Sequence, residues 1–284
     1  MEFGIHKNKE DYLRFYHLEE HLPIHSHEWL TCKNNKIFIQ SFTPPITKGT
    51  IWLIHGFLDH SNSLHYTINF FIQKGYEVQT IDLIGHGLSS GNRGEVKAFT
   101  DYASTFKEVL LNRSIDKEKL FAIGHSTGAA MLIDFCIRYH SPFEKVILVC
   151  PLIRSYLWTV TSPFLNIIRM NVKRMYRKNT SNESYLTFLK KDPLQVNVIR
   201  NNWLLALKNW YNNLQSINKK DNIFHIIQGN KDTTVDWNYN CHYLLQTFPN
   251  SNAVLFDEGH HHLLNEKDPL RRIVHDYMQK VIEG

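Results

Sequence analysis

The chain has 284 residues, 43% hydrophobic and 21% charged, with a formal net charge of +5, the balance of a folded chain with its own core rather than a disordered or fibrous one. No stretch reaches the roughly 18 apolar residues of a spanning helix, and the opening MEFGIHKNKEDYLRFYHLEE lacks the basic-then-apolar order of a secretory leader. Cys32, Cys136, Cys150 and Cys241 form no CxxC pair, which argues against a disulfide framework and for a reducing, cytoplasmic setting.

In chain order, KIFIQSF (36–42) alternates in character and predicts an antiparallel edge hairpin within the first 48 residues. Short apolar runs follow at TIWLIHG (50–56), YEVQTID (76–82), LFAIGHS (120–126), KVILVC (145–150), NIFHIIQG (222–229) and NAVLFDE (252–258). Each is expected to be a buried strand ending at a turn. Between them, segments 63–75, 98–112, 127–140 and 237–248 have helical length and spacing. A last helix is expected from 269, with Asp268 as its N-cap, Pro269 as its first residue, and Leu270, Ile273, Val274, Tyr277 and Val281 on one face. Strand and helix in alternation predict an α/β fold, a mostly parallel central sheet flanked by helices.

Residues 151–221 break the rhythm. They show no convincing strand, are helical in character and hold Trp158, Trp203 and Trp210. The expected division is a core made of 1–150 and 222–284 with 151–221 inserted as a helical cap. Between Pro151 and Asn222 there are 12 Lys and Arg against 3 Asp and Glu. Such a surplus attracts an anionic surface, a membrane among them, although a solvated face is its plainer explanation. No nucleic-acid-binding module is present, and basic charge alone does not make one.

The strongest chemical signal is Gly124-His125-Ser126-Thr127-Gly128, a G-x-S-x-G run between a predicted strand and a predicted helix. A serine hydroxyl becomes a nucleophile only when it is exposed, aimed and deprotonated by a neighbour. A sharp strand-to-helix turn provides the first two and demands tiny residues two places either side. The helix N-terminus adds N–H groups where negative charge would develop, so Thr127 is a candidate oxyanion donor. Phe57, following the strand that ends at His55-Gly56, is a candidate for the second. Asp232, just after a strand in QGNKDTTVD, is the candidate acid; Asp236 is its rival and could instead cap the next helix. The base is expected among His260, His261 and His262, in the loop after the last strand. A tri-histidine metal site is disfavoured because adjacent side chains diverge. No cofactor is called for.

Together, HGFLDHS (55–61), DLIGHGLSSGNRG (82–94), GHSTG (124–128), QGNKDTTVD (228–236) and HHLLNE (261–266), with a weaker echo in KDPL (191–194), resemble the α/β-hydrolase superfamily, and within it the monoacylglycerol lipase and lysophospholipase group. That resemblance, from about residue 30 onward, implies a serine hydrolase with Ser126 as nucleophile, Asp232 as acid and the Phe57 and Thr127 N–H groups as oxyanion donors. In that group the catalytic histidine is usually followed by E-L-L-N-E, which places it at His261, with His262 where Glu is common; His260 is the neighbouring alternative. The implied substrate is the acyl ester of a single-chain lipid, lysophospholipid or monoacylglycerol. Trp158, Phe164, Leu165 and Leu204 are candidate walls for its chain. Asp82, Gly85, His86 and Gly87 are expected to shape a loop beside the site without doing chemistry.

Other readings of the same pattern are a small-substrate carboxylesterase or thioesterase, a proline-iminopeptidase-type peptidase, and an inactive binding protein on the same fold. The peptidase is weakened by a cap with only Glu183, Asp192 and Asp221 as carboxylates, and the inactive protein by a complete set of candidate triad residues.

Overall fold

A computed structural model describes residues 5, 7–113, 119–167, 171–175, 178–218 and 220–284. Helix α1 (Lys9–Phe15) starts at Asn8, whose side chain accepts from the N–H groups of Glu10 and Asp11. An antiparallel hairpin follows, β1 (His25–Cys32) and β2 (Asn35–Phe42), in register from His25 opposite Phe42 to Cys32 opposite Asn35. The chain then alternates through β3 (Thr50–Ile54), α2 (His65–Gln73), β4 (Glu77–Ile81), α3 (Thr100–Leu111), β5 (Leu120–His125), α4 (Thr127–Arg138) and β6 (Lys145–Val149). An excursion carries α5 (Trp158–Thr161), β7 (Val172–Lys173), α6 (Glu183–Lys191), β8 (Val198–Ile199) and α7 (Asn201–Leu214). The alternation resumes with β9 (His225–Gly229), α8 (Trp237–Thr247), β10 (Asn252–Phe256) and α9 (Leu270–Glu283).

The eight-stranded sheet has the order β1-β2-β4-β3-β5-β6-β9-β10. Its last six strands run parallel, and β2 joins them antiparallel to β4. The expected α/β fold is therefore the observed one. Successive residues of the central strands enter opposite cores: Trp52 and Ile54 of β3 pack with α3 and α4, whereas Ile51 and Leu53 pack with α2 and α9. A strand buried on both faces has no polar side to show, which is why these strands read as unbroken apolar runs.

Three local expectations need correction. Segment 151–221 does contain strand, since β7 and β8 pair antiparallel, but two residues are too few for a period to show. Helix α9 starts at Leu270, not Pro269, and Pro269 occupies the cap position without a side-chain cap. Asp268 instead pairs with Arg271 and Arg272 at 3.0 and 3.2 Å. The inner stripe of α9 is Val274, His275, Met278 and Ile282, while Ile273 is 52% exposed. Helix α7 buries Trp203, Ala206, Leu207, Trp210 and Leu214 in the same cluster as α3 and α4. The indole N–H of Trp210 donates to Asp134 on α4 at 2.9 Å. Of the basic residues counted in the segment, Arg169, Arg177 and Lys219 lie outside the described residues.

Candidate active site

Strand β5 ends at His125 and α4 begins at Thr127, so Ser126 alone makes the turn, at φ 52° and ψ −110°. This is a strained conformation for a residue with a side chain, and it persists only where its surroundings enforce it. Here the Ser126 N–H donates to Val149 O at 2.9 Å, and Ser126 O accepts from Ala130 N at 3.1 Å. The flanking glycines are required by space. A Cβ on Gly124 would lie 2.6 Å from Ala129 N, and one on Gly128 would lie 2.4 Å from Ile54 O.

The loops after β9 and β10 meet backbone to backbone, Lys231 N donating to Gly259 O at 2.9 Å. That contact sets Asp232 beside His261, with Oδ2 2.7 Å from Nδ1, while His261 Nε2 lies 3.1 Å from Ser126 Oγ. An ionised carboxylate only accepts, so Nδ1 carries the ring proton and Nε2 is left as an acceptor for the serine hydroxyl. Asp232 Oδ1 accepts from the N–H groups of Thr234 and Val235 at 2.8 and 3.1 Å. Burial pushes the Asp232 carboxyl up, but His261 and these two N–H groups outweigh it and hold it below its ordinary value. Thus Ser126, His261 and Asp232 are brought together in one hydrogen-bonded row. Asp236 is not in that row; it caps α8 through Tyr239 N and takes the Arg154 guanidinium at 2.6 Å.

The neighbouring histidines turn elsewhere. His260 Nδ1 meets Glu266 at 2.9 Å. His262 stacks on His125 with ring centroids 5.5 Å apart, and burial holds its pKa well below the usual imidazole range. His125 in turn donates from Nε2 to His261 O at 2.8 Å, which fixes the backbone of His261. Glu266 went unnoticed as a site residue in the sequence. Its fully buried carboxylate accepts from Ser181 N, Ser181 Oγ, Thr180 Oγ1, His260 N and His260 Nδ1, so it ties the histidine loop to the segment before α6. The only local signal was an acid closing the HHLLNE run. Asp82 serves as expected, accepting from Ser61 N at 2.8 Å and from Leu88 N at 2.7 Å.

Ser126, Thr127 and His261 open onto a cavity of about 410 Å³, within the range of small-molecule sites. Its walls include Leu152, Trp158, Leu165, Trp203, Leu204 and Leu207. Phe164 is not among them and is 52% exposed. Among the described residues, the lining has two cations, Lys173 and Arg174, and no carboxylate. Phe57 and Thr127 both border the cavity beside Ser126, and among the described residues neither N–H is taken by a loop or turn carbonyl. Cys150 brings its Sγ within 4.8 Å of the Asp232 and His261 ligand atoms. Burial pushes that thiol well above its ordinary pKa, which keeps it in the protonated, poorly ligating form. A more polar groove of about 720 Å³, between residues 33–35, the 92–97 loop and α7, shares no lining residue with the serine cavity.

Residues 45–268 match the family described as Serine aminopeptidase, S33. The chain belongs to this family. Its mostly parallel eight-stranded sheet flanked by helices is the α/β-hydrolase fold. The monoacylglycerol lipase of Mycolicibacterium smegmatis is 24% identical over 111 residues, 38% of this chain and 40% of that protein, so the match spans less than half of that relative's length. Rat monoglyceride lipase is 24% identical over 264 residues, covering 88% of this chain and 84% of its own. The fold is also that of a soluble variant of monoglyceride lipase from Saccharomyces cerevisiae, solved with a substrate analog. Its TM-score is 0.78 at 20% identity, over 92% of this S33 chain and 95% of the yeast one. Among the described residues, no helix is long and apolar enough to cross a membrane.

Proposed function

We propose that this S33 hydrolase cleaves the acyl ester of a single-chain lipid, lysophospholipid or monoacylglycerol, through an acyl-enzyme. Ser126 Oγ attacks the ester carbonyl as its proton passes to His261 Nε2, and Asp232 stabilises the imidazolium through Nδ1–H. The tetrahedral oxyanion is held by the N–H groups of Phe57 and Thr127. Collapse expels the alcohol, which takes the proton back from Nε2. Water then gives its proton to His261, attacks the acyl carbonyl and frees the fatty acid, restoring Ser126.

The observation that carries this reading is a hydrogen-bonded Ser126–His261–Asp232 row opening onto a largely apolar cavity. Relatives named for monoacylglycerol hydrolysis support the lipid class. Residues 151–221 act as a cap, supplying Trp158, Leu165 and Leu204 to the acyl wall. A peptidase holding a substrate amino group would want a carboxylate in that wall, and the absence of one among the described lining residues speaks against it.

The segment also exposes Leu157, Val160, Phe164, Ile167 and Met175, alongside Lys173 and Lys178, a surface suited to peripheral contact with an anionic membrane. Binding should then favour anionic over neutral vesicles and weaken as salt rises. Equal binding to both would remove the membrane contact from the proposal.

Fatty-acid release from monoacylglycerol and lysophospholipid of one chain length, with Ser126→Ala as blank, tests the main reading. Release from either above the blank is the expected outcome. Cleavage of a short-chain ester alone would replace the lipid substrate with a small one.

A further inference from the structure

The loop that carries Phe57 leaves the end of β3 and is fixed again at Ser61, whose N–H donates to Asp82 at 2.8 Å. Between these points, Phe57, Leu58, Asp59 and His60 are each gripped by the 151–221 segment. The Phe57 ring stacks on Trp203 with centroids 3.6 Å apart and planes 10° from parallel. Leu58 holds φ 68°, and its carbonyl accepts from Val196 N at 3.0 Å and Arg174 Nη1 at 3.1 Å. Asp59 Oδ1 accepts from Gln195 Nε2 at 2.8 Å. His60 Nε2 donates to Asp192 Oδ2 at 2.7 Å, both side chains being wholly buried. Gln195 Nε2 also reaches Asp192 at 3.1 Å, and Tyr16 OH, from just beyond α1, donates to the other Asp192 oxygen at 2.8 Å.

An oxyanion donor lowers a barrier only if it points at the developing charge before the reaction begins. Leu58 sits in a left-handed conformation that a leucine leaves when nothing enforces it. With β3 and Ser61 as fixed ends, its relaxation would crank the intervening peptides and turn the Phe57 N–H away from Ser126. We infer that the inserted segment holds the oxyanion site in its working shape, with Asp192 and Gln195 as positioning residues for the Phe57 N–H: Asp192 acts through His60, and Gln195 acts through Asp59 and, by accepting from Arg174 Nη1 at 2.5 Å, through the Leu58 carbonyl that the same Arg174 atom bonds. The inference rests on the proposed roles of Ser126 and Phe57. Neither Asp192 nor Gln195 lines the cavity, so substrate affinity does not depend on them directly. The segment and the reacting centre are thereby coupled: displacing the cap also dismantles the donor.

The test is steady-state hydrolysis of a monoacyl ester by Asp192→Asn, Gln195→Met and Tyr16→Phe, the last removing the outer hydrogen bond on Asp192. Asp192→Asn and Gln195→Met should lower kcat on the order of 10- to 10²-fold, as slight misplacement of a catalytic group does, with KM within about twofold. Tyr16→Phe should move kcat the same way by about twofold to fivefold. A second readout is inhibition by an alkyl trifluoromethyl ketone, which Ser126 Oγ would attack to give a hemiketal oxyanion as the proton moves to His261. Its affinity should fall in parallel with kcat/KM, while binding of the matching alkyl ether, which has no carbonyl, should not change.

Variants that keep wild-type kcat and ketone affinity, and lose only thermal stability or KM, would overturn the inference. If Asp192→Asn does not fold, Gln195→Met and Tyr16→Phe carry the same decision. Failure of the ketone to inhibit the wild-type protein would count against the Ser126 and Phe57 roles themselves.

Discussion

An added methyl group at Gly128 would sit 2.4 Å from Ile54 O and 2.7 Å from His55 O, both backbone atoms that no rotamer change can move. Gly128→Ala should therefore destabilise the protein by at least about 2–3 kcal/mol, read from the urea midpoint. A midpoint unchanged from the parent would mean that α4 can slide away from β3. The three consecutive histidines make the opposite point about side chains. His261 faces Ser126, whereas His260 faces Glu266. His261→Ala should lower kcat on the order of 10⁴-fold, while His260→Ala should stay within about tenfold of wild type; the reverse ranking would move the base by one residue. Ser126 and its glycines were legible because the turn dictates their type. Which histidine faces the serine was not legible from local pattern, because direction in a loop depends on backbone angles that no periodicity encodes.

The inner parallel strands were the most readable elements, since burial on both faces leaves runs such as IWLI at 51–54 with no polar interruption. The start of α9 was misjudged by one residue because Asp268 is engaged by Arg271 and Arg272 instead of capping. Choosing between Asp232 and Asp236 also exceeded what one loop can show, because the partner that occupies Asp236 is Arg154, distant in the chain. Arg154 bonds Asp236 Oδ2 through Nε and Nη2 at 2.9 and 2.6 Å and lies 3.4 Å over the Tyr239 ring. Removing the carboxylate deprives α8 of its cap and strands a partly buried guanidinium. Asp236→Ala should cost about 1–3 kcal/mol of stability with little change in kcat, measured by denaturation and turnover on the same preparation. A loss of kcat comparable to that of Asp232→Ala would instead give Asp236 a part in the chemistry.

Seventeen histidines are scattered through the sequence, and nothing in their spacing says how many are buried. Burial lowers the pKa of His25, His65, His86 and His275 from 6.5 to about 3, and of His55 and His125 to about 4. Each is neutral when folded and takes up a proton when unfolded below pH 6.5. Their stabilising contribution is thus present above 6.5 and is lost as pH falls toward 3–4. His60 has the opposite sign: its burial is outweighed by Asp192, its pKa is raised, and its contribution fades as pH rises through that value. With His225 and His262 lowered as well, eight groups outweigh one. With each worth about 1.4 kcal/mol per pH unit once its unfolded form is protonated, stability should fall by several kcal/mol per unit below pH 6, enough to exhaust a typical domain. The protein should unfold between about pH 6 and 4.5, and a urea midpoint that stays level from pH 7.5 to 5 would refute this.

The four cysteines are all free and buried, one each at the end of β1, in α4, after β6 and in α8. A folded molecule of this kind offers no thiol to an oxidant or an alkylating reagent, so its cysteines are indifferent to the thiol–disulfide poise around it. Modification has to wait for the surrounding element to open. The order in which Cys32, Cys136, Cys150 and Cys241 acquire a label would therefore rank the hairpin, α4, the floor beneath the histidine loop and α8 by how often each comes apart.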